Sequence, residues 1–392
     1  MSVESKRRVT RFRPTVLEVD LEAVRHNVRL LKPERAELLA VVKADGYGHG
    51  AAEVARAALS AGATRLGVAL VEEGIALRER GIDAPILVLT EPPRGSEKDA
   101  LAAGLTPTVY SPECVASVSE AADALARRAG VHLKVDTGMH RVGVWPPSAV
   151  SEVAERVVAS GLELEGLWTH FAAAEEDEEG TRDQLRALLE TRDSLAGAGL
   201  HARTLHAANS AATIRFPETH LDVVRPGAAI YGLDPGGGIG PAFGLRPALR
   251  WRSAVSMVKR LDAGERVSYG WRYAFDRPSN VATVPVGYAD GYRRGLSSKA
   301  DVLIAGKRRR VAGTVTMDQL VVDCGDDRIA VGDEVVLLGA QGDERITAEE
   351  LGAHVGTIGY EIVAAIGERV PRAHVGEQPE QRARHPMSRP GA

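Results

Sequence analysis

From about residue 16 to residue 245, short apolar and β-branched runs alternate with alanine-rich stretches of helical texture. That is the pattern of repeated βα units around a parallel sheet. Strand-like runs fall at 38–42, 65–69, 85–89, 106–110, 131–136, 164–169, 202–206 and 221–225, each followed by a helix candidate or a turn. Eight parallel strands in this length match a (β/α)8 TIM-type barrel, and the competing arrangement for the same pattern is a doubly wound open sheet. After Pro247 the long helical patterns vanish. Runs such as Val281-Ala-Thr-Val-Pro-Val, Val302-Leu-Ile-Ala and Val335-Val-Leu-Leu are separated by Gly/Asp turns, which predicts a second, mainly β domain. The expected organisation is α/β. Residues 1–14 form an N-terminal segment that could add a strand to the C-terminal domain, 15–245 the barrel, 246–372 the β-rich C-terminal domain, and 373–392 a polar, proline-containing disordered tail.

Composition narrows the partners. With 49 Lys+Arg against 53 Asp+Glu, a net charge of −4 leaves no excess of cations to neutralise phosphates, so no nucleic-acid partner is expected. The basic N-terminus (Lys6, Arg7, Arg8, Arg11, Arg13) is followed by Val16-Leu17-Glu18-Val19-Asp20-Leu21, whose acids rule out a secretory apolar region. No apolar run is long enough to span a membrane, and a cytoplasmic location is expected. The two cysteines, Cys114 and Cys324, lie far apart and read as buried thiols rather than a disulfide or zinc pair. The histidines lack metal-ligand spacing, with His49, His170 and His206 isolated along the chain, so no metal is expected.

Reactive groups on such a barrel belong at the C-terminal ends of the strands. Lys43 ends the first run, and Lys134 and Asp136 end the fifth with Arg141 in the loop beyond. His170 ends the sixth, Asn209 and Ser210 follow the seventh, and Arg225 closes the eighth before Pro226-Gly227-Ala228. The last two loops form the customary phosphate site of these barrels, which marks Ser210 and Gly227 as phosphate candidates by position. Lys43 is followed by Ala44-Asp45-Gly46-Tyr47-Gly48-His49-Gly50. A P-loop needs its glycines before the lysine and is excluded. A structural lysine and a Schiff-base lysine holding a carbonyl cofactor both remain open on position alone.

Other motifs carry less. Asp136-Thr137-Gly138 resembles an aspartic-protease turn, but that chemistry needs two carboxylates and there is no second Asp-Thr-Gly. Gly236-Gly-Gly-Ile-Gly240 is followed by Pro241 and preceded by Asp234-Pro235, which suits a loop better than a dinucleotide fingerprint. The acidic run Glu175–Glu179 reads as a solvated loop before a helix.

The segment Ala40-Val-Val-Lys43-Ala-Asp-Gly-Tyr47-Gly-His-Gly50 resembles the cofactor-lysine signature of the pyridoxal-phosphate alanine racemases. Further segments resemble that family in the family's order, from about residue 15 to 372. They are Lys134-Val-Asp-Thr-Gly-Met-His-Arg141-Val-Gly, Trp168-Thr-His170-Phe-Ala, Asn209-Ser210-Ala-Ala, Val224-Arg225-Pro-Gly227, Val267-Ser-Tyr269-Gly, Gly287-Tyr288-Ala-Asp-Gly, Met317-Asp318-Gln and Tyr360-Glu. The resemblance implies a barrel plus a C-terminal β domain, pyridoxal 5'-phosphate as cofactor, and L-alanine and D-alanine as substrate and product. It also implies a homodimer whose active sites are shared between subunits. Lys43 would carry the cofactor and act as one acid/base, and Tyr269, reaching in from the partner, would be the other. Tyr47, Ser210, Gly227, Ala228 and Tyr360 match phosphate-binding positions. Trp168, His170 and Asn209 match positions near the cofactor, and Arg225 matches the arginine facing the pyridine nitrogen. Arg141, with Met317 of the partner, would hold the substrate carboxylate. Lys134 matches a lysine that is often carbamylated, Tyr288 a residue at the substrate entrance, and Asp318 a supporting position.

The chemistry explains these residue types. Racemisation removes the α-proton on one face and returns one on the other, so two bases on opposite faces serve better than one. Lysine and tyrosine titrate near ~10.4 and ~10, so both need their values lowered to act near neutrality. Arg225 and His170 are expected to form a hydrogen-bonded chain that polarises Tyr269. A guanidinium also donates to the pyridine nitrogen without giving up its proton, which keeps the carbanion short-lived. Four departures surround this machinery. His140 stands where glycine is frequent, Thr316 where cysteine is, Gly359 where asparagine is, and Ala228 where isoleucine is common. They bear on substrate breadth, so a broad-specificity or serine racemase is one alternative. A fold-related decarboxylase of basic amino acids is another, though it needs neither a second base nor a clamped carboxylate. In the family's role the product D-alanine feeds bacterial cell-wall peptide.

Overall fold

The computed structural model describes residues 12–376, which divide into two compact units. One comprises Asp20–Ala248 together with the chain from Val375, and the other the N-terminal residues to Val19 with Leu249–His374. Strand β1 (Val16–Asp20) is the first element among the described residues. The first unit then lays down eight parallel strands: β2 (Glu37–Val41), β3 (Arg65–Val68), β4 (Ile86–Val88), β5 (Leu105–Val109), β6 (Gly130–Lys134), β7 (Glu163–Trp168), β8 (Thr204–His206) and β9 (Val223–Val224). Each lies within a residue or two of the run predicted for it. The ladder runs from β8 through β7 down to β2 and on to β9. Main-chain bonds from Asp222 to Leu205 (3.0 Å) and from Arg225 to Ala208 (2.9 Å) link the two ends. The barrel is therefore nearly closed, and the open-sheet alternative is excluded.

Local chemistry sets the helices between the strands. Asp20 accepts from the amides of Glu22 and Ala23 to start the helix Leu21–Leu31, Ser111 caps Pro112–Ala124, and Asp177 caps Glu178–Gly197. The acidic run at 175–179 thus ends as a cap and a first helical turn, where negative charge is favoured. Gly236–Gly238 lead into the short helix Ile239–Phe243. Cys114 and Cys324 are buried free thiols.

In the second unit, β1 pairs antiparallel with β10 (Leu249–Ala254), Leu17 opposite Trp251. Among the described residues, the strand that joins this sheet from the N-terminal side is Val16–Asp20, which follows the 1–14 segment assigned from sequence. Of that segment, residues 1–11 lie outside the described residues. Arg13 reaches the buried Asp290 through two hydrogen bonds of 2.8 and 2.9 Å. β11 (Met257–Leu261), β12 (Arg266–Val267), β13 (Tyr273–Ala274), β14 (Ser279–Val284), β15 (Asp301–Ile304), β16 (Lys307–Arg310), β17 (Leu320–Asp323), β18 (Glu334–Gln341), β19 (Glu344–Ile346) and β20 (Arg372–Val375) make the unit mainly β. The large sheet runs β16-β15-β18-β10-β1-β20, and β11-β14-β17 form a second one. β20 extends to Val375, so ordered strand occupies 373–375 where a tail was expected; the rest of that tail, from 377, lies outside the described residues.

Candidate active site

Side chains alternate across each barrel strand, so positions two apart share a face. On β6, Val131 and Leu133 are buried apolar residues, while His132 and Lys134 form the polar set. Lys134 ends the strand with its ammonium 4.5 Å above the ring of Trp168, which ends β7. The guanidinium of Arg225 lies 4.7 Å from the same ring, and His206 stacks on it at 5.5 Å with a 12° tilt. One indole thus faces two cations and an imidazole, and its ring electrons temper their repulsion. Its buried Nε1 has no hydrogen-bond partner among the described residues.

Lys43 follows β2 and begins an unusual turn. Ala44, Asp45, Gly46, Tyr47 and Gly48 all have positive φ, from 51° to 78°. Three of the five carry side chains, for which this region costs of order 1 kcal/mol each. The turn is braced by its own chemistry: Glu73 accepts from the Ala44 amide at 2.6 Å, and Asp45 accepts from the Ala51 amide at 2.9 Å. The turn swings Tyr47 against Gly227. A β-carbon at 227 would lie 2.5 Å from the Tyr47 hydroxyl, so that approach requires glycine. Ser210 completes the corner, its hydroxyl accepting from the amides of Gly227 (2.9 Å) and Ala229 (3.2 Å). Ser210 in turn begins a helix that Asn209 caps, by accepting from the Ala212 amide at 3.0 Å. The carboxamide oxygen of Asn209 is therefore committed to the helix.

The electrostatics are those of an anion site. Lys43, Lys134, Arg141 and Arg225 all bear on one another or on His170. Burial, then Arg141, lowers Lys43 below its ordinary value, against a small opposing effect of Glu73. Lys134 falls to about 7 through burial, then Arg141 and Arg225. His170 is held well below the usual histidine range by burial and the cations led by Arg225, so it is neutral. Burial pushes Tyr47 up to about 12, so it is a hydrogen-bonding phenol and not a base. Burial also lowers Arg225 to about 9, which still leaves it protonated at neutral pH. Arg225 spends its donors on the Thr169 carbonyl (2.7 Å), the Ala207 carbonyl (2.9 Å) and Nδ1 of His206 (2.8 Å). Its contact with Nδ1 of His170 is longer, 3.5 Å. Arg141 lies exposed in a loop that Asp136 shapes by accepting from the amides of Gly138 and His140, both at 3.0 Å.

The barrel unit thus brings together Lys43, Tyr47, Lys134, Arg141, Trp168, His170, Ser210, Arg225 and Gly227, with Ala228 buried beside Gly227. The remaining sequence-predicted residues belong to the other unit. Tyr269 begins a short 3-10 turn, 74% exposed, its carbonyl held by the Thr314 hydroxyl at 2.9 Å. Met317 is 52% exposed, Tyr288 is exposed too, Asp318 pairs with Arg369 at 2.8 Å, and half-buried Tyr360 lies in the helix Gly359–Ala364. Sequence reading missed Glu73, Gln184 and Thr169. Gln184 donates to the His170 carbonyl at 3.2 Å and accepts from the Ala172 amide at 2.8 Å, which fixes the loop after β7. It also took His206 as isolated. His206 instead bonds both Arg225 and His132, contacts that spacing along a chain cannot show because they cross strands.

Comparisons with known proteins agree with this geometry. The alanine racemase N-terminal domain matches residues 19–235 and the alanine racemase C-terminal domain residues 248–374. The alanine racemase of Symbiobacterium thermophilum is 49% identical over 372 residues, covering 93% of this chain and 98% of its own length. That of Carboxydothermus hydrogenoformans is 44% identical over 369 residues, covering 93% and 100%. Among solved structures, the alanine racemase from D-cycloserine-producing Streptomyces lavendulae superposes with a TM-score of 0.89 at 40% identity, covering 95% of this chain and 99% of that one. The Bacillus anthracis alanine racemase with bound L-Ala-P does so at 0.87 and 38%, covering 94% and 96%. The barrel, the cation cluster at its rim and these similarities together place the chain in the alanine racemase family, as an amino-acid racemase acting on alanine.

Proposed function

We propose that the chain interconverts L-alanine and D-alanine by a two-base mechanism dependent on pyridoxal 5'-phosphate, as a cytoplasmic homodimer supplying D-alanine for peptidoglycan. The observation that carries the cofactor reading is the cation cluster Lys43–Lys134–Arg141–Arg225 beside the Tyr47–Gly227–Ser210 corner. The site fits the group. A phosphate finds amides, a serine and a phenol at one end. A buried guanidinium suits a pyridine nitrogen, the orphaned Trp168 Nε1 offers a spare donor, and a lysine of lowered basicity suits a carbonyl. Lys43 would hold the cofactor, with Tyr47, Ser210, Gly227, Ala228 and Tyr360 at its phosphate and Arg225 at its ring nitrogen. When bound, the cofactor supplies an electron sink for the α-carbon.

The protein's residues do the rest. Nζ of Lys43 takes or returns the α-proton on one face, and the phenol of Tyr269 from the partner subunit serves the other. Exposed Tyr269, Trp271, Met317 and Tyr288 give one unit a set of large apolar side chains in water, which supports burial against a second copy. Arg141 and the partner's Met317 would clamp the substrate carboxylate. Neutral His170 would pass the influence of Arg225 towards Tyr269. Lys134, with an ammonium lowered to about 7, is largely an amine under slightly alkaline conditions. Such an amine adds carbon dioxide to form N–COO⁻ with release of one proton, and the carbamate would turn a repulsion of Arg141 into an attraction. Among the described residues no helix is long and apolar enough to cross a membrane. The test is racemisation of L-alanine by the purified protein, with L-serine and L-lysine as competing substrates. Selective D-alanine formation is expected, and release of carbon dioxide from lysine instead would overturn the reading.

A further inference from the structure

A file of polar residues runs through the barrel interior behind Arg225. Nη1 of Arg225 meets Nδ1 of His206 at 2.8 Å, Nε2 of His206 meets Nδ1 of His132 at 2.8 Å, and Nε2 of His132 lies 3.7 Å from the carboxylate of Glu165. Arg65 closes the far end, 3.0 Å from Glu165 and 2.8 Å from Glu37. His132 and His206 are fully enclosed. The strands are shaped around this file. Between Val131–Leu164 and His132–Gly166 the register of β6 and β7 slips by one residue, leaving Glu165 as the extra residue of a bulge. A bulge re-aims a side chain that strict alternation would send to the other face. Two strand glycines make the room. A β-carbon at Gly130 would lie 2.5 Å from the Glu165 carboxylate, and one at Gly166 would collide with the His132 ring.

The direction of every proton follows from the ends. A guanidinium only donates, so Nδ1 of His206 must accept and its hydrogen must sit on Nε2. That hydrogen points at Nδ1 of His132, which forces the hydrogen of His132 onto Nε2, towards Glu165. A carboxylate only accepts, so both ends demand the same arrangement. The opposite tautomers would set two donors face to face at Arg225. Burial lowers both histidines, well below their ordinary value for His206, which keeps them neutral, while His132, 3.7 Å away, and the bond to Arg65 hold Glu165 at about 2 and ionised.

We propose that Glu165 and His132 are positioning residues for Arg225, acting through His206 to fix the aim of the guanidinium that the cofactor meets. The inference rests on the reading of Arg225 as the partner of the cofactor ring. The experiment uses cofactor-loaded protein carrying 15N-labelled histidine, with nitrogen-proton correlations assigning the tautomers and His132→Phe and His206→Phe identifying the signals. In the wild type both histidines are expected as the neutral Nε2–H form. In Glu165→Leu the Nε2 hydrogen of His132 loses its acceptor, which should move the His132 signals and lower kcat roughly tenfold with KM within about twofold, because Arg225 acts on the transition state and not on alanine. Glu165→Gln, which keeps an acceptor, should retain both tautomers and recover most of kcat. A charged or Nδ1–H form at either histidine in the wild type overturns the proposal, as does a Glu165→Leu variant whose kcat is unchanged. If that variant does not fold, the tautomers of the wild type and of Glu165→Gln decide alone. Should the protein make no D-alanine, the function fails, while the tautomers still decide whether the relay exists.

Discussion

The phenol of Tyr47 occupies the space that a side chain at residue 227 would take, for a β-carbon there would lie 2.5 Å from its oxygen. Gly227→Ala must therefore expel the phenol or shift the backbone that presents the 227 and 229 amides to Ser210. We expect roughly tenfold weaker binding of pyridoxal phosphate, about 1.4 kcal/mol. Tyr47→Phe should weaken it less, because it removes one hydroxyl and leaves the corner intact. Titration of the cofactor by absorbance compares the two, and equal affinity in Gly227→Ala would remove the corner from the phosphate site.

Glu73 holds the turn that carries Lys43. Besides the Ala44 amide, it accepts from the amides of Ala69 and Leu70 at 2.8 and 3.1 Å. Glu73→Ala leaves three main-chain donors without this acceptor, at a cost of about 2 kcal/mol. Urea unfolding of the variant should show the loss. Unchanged stability would mean that water or another group replaces the carboxylate.

Lys134 ties stability to pH. Its ammonium is lowered from 10.5 to about 7, mainly by burial. Below pH 7 the group is charged in both folded and unfolded chains, and the folded state bears the full cost of burying it. Between pH 7 and 10.5 the unfolded chain binds the extra proton, so stability rises with pH across that window. The gain has an upper limit of ~5 kcal/mol. Lys134→Met should flatten the rise, measured by urea unfolding at pH 6.5 and 9.5 in buffers free of carbon dioxide. A variant with the wild-type slope would show that some other group titrates there.

Much of this was legible in the chain. Each barrel run is a short apolar block of the length a buried parallel strand needs, and Lys43, Lys134, Arg225 and Ser210 stand at strand ends where such barrels keep their chemistry. What could not be read crosses between strands. The bulge at Glu165 shifts a side chain to the other face without any sign in the alternation of apolar and polar residues, and the His132–His206 bond joins residues separated by two strand connections. Gly130 and Gly166 were the available signals, since glycine inside a strand marks a close approach. Glu73 was hidden for a related reason: it reads as an ordinary first-turn helix acid, and its part in the Lys43 turn depends on contacts far along the chain.

Tyr269 is the residue on which the two-face scheme depends. Tyr269→Phe keeps the ring and removes the only acidic hydrogen. We expect kcat for racemisation to fall by at least about a hundredfold in both directions, with cofactor affinity kept, a loss of general acid–base catalysis. Coupled assays from L-alanine and from D-alanine check it. Full racemisation in both directions by the phenylalanine variant would refute two-base chemistry.

The most direct test strips the purified protein of any bound cofactor, restores pyridoxal phosphate stepwise, and follows D-alanine formed from L-alanine. D-alanine that appears only with the cofactor, rises in proportion to its occupancy and is abolished by Lys43→Ala is the predicted result. Racemisation that proceeds equally in the stripped protein, or a cofactor-loaded protein that forms no D-alanine, would contradict the account.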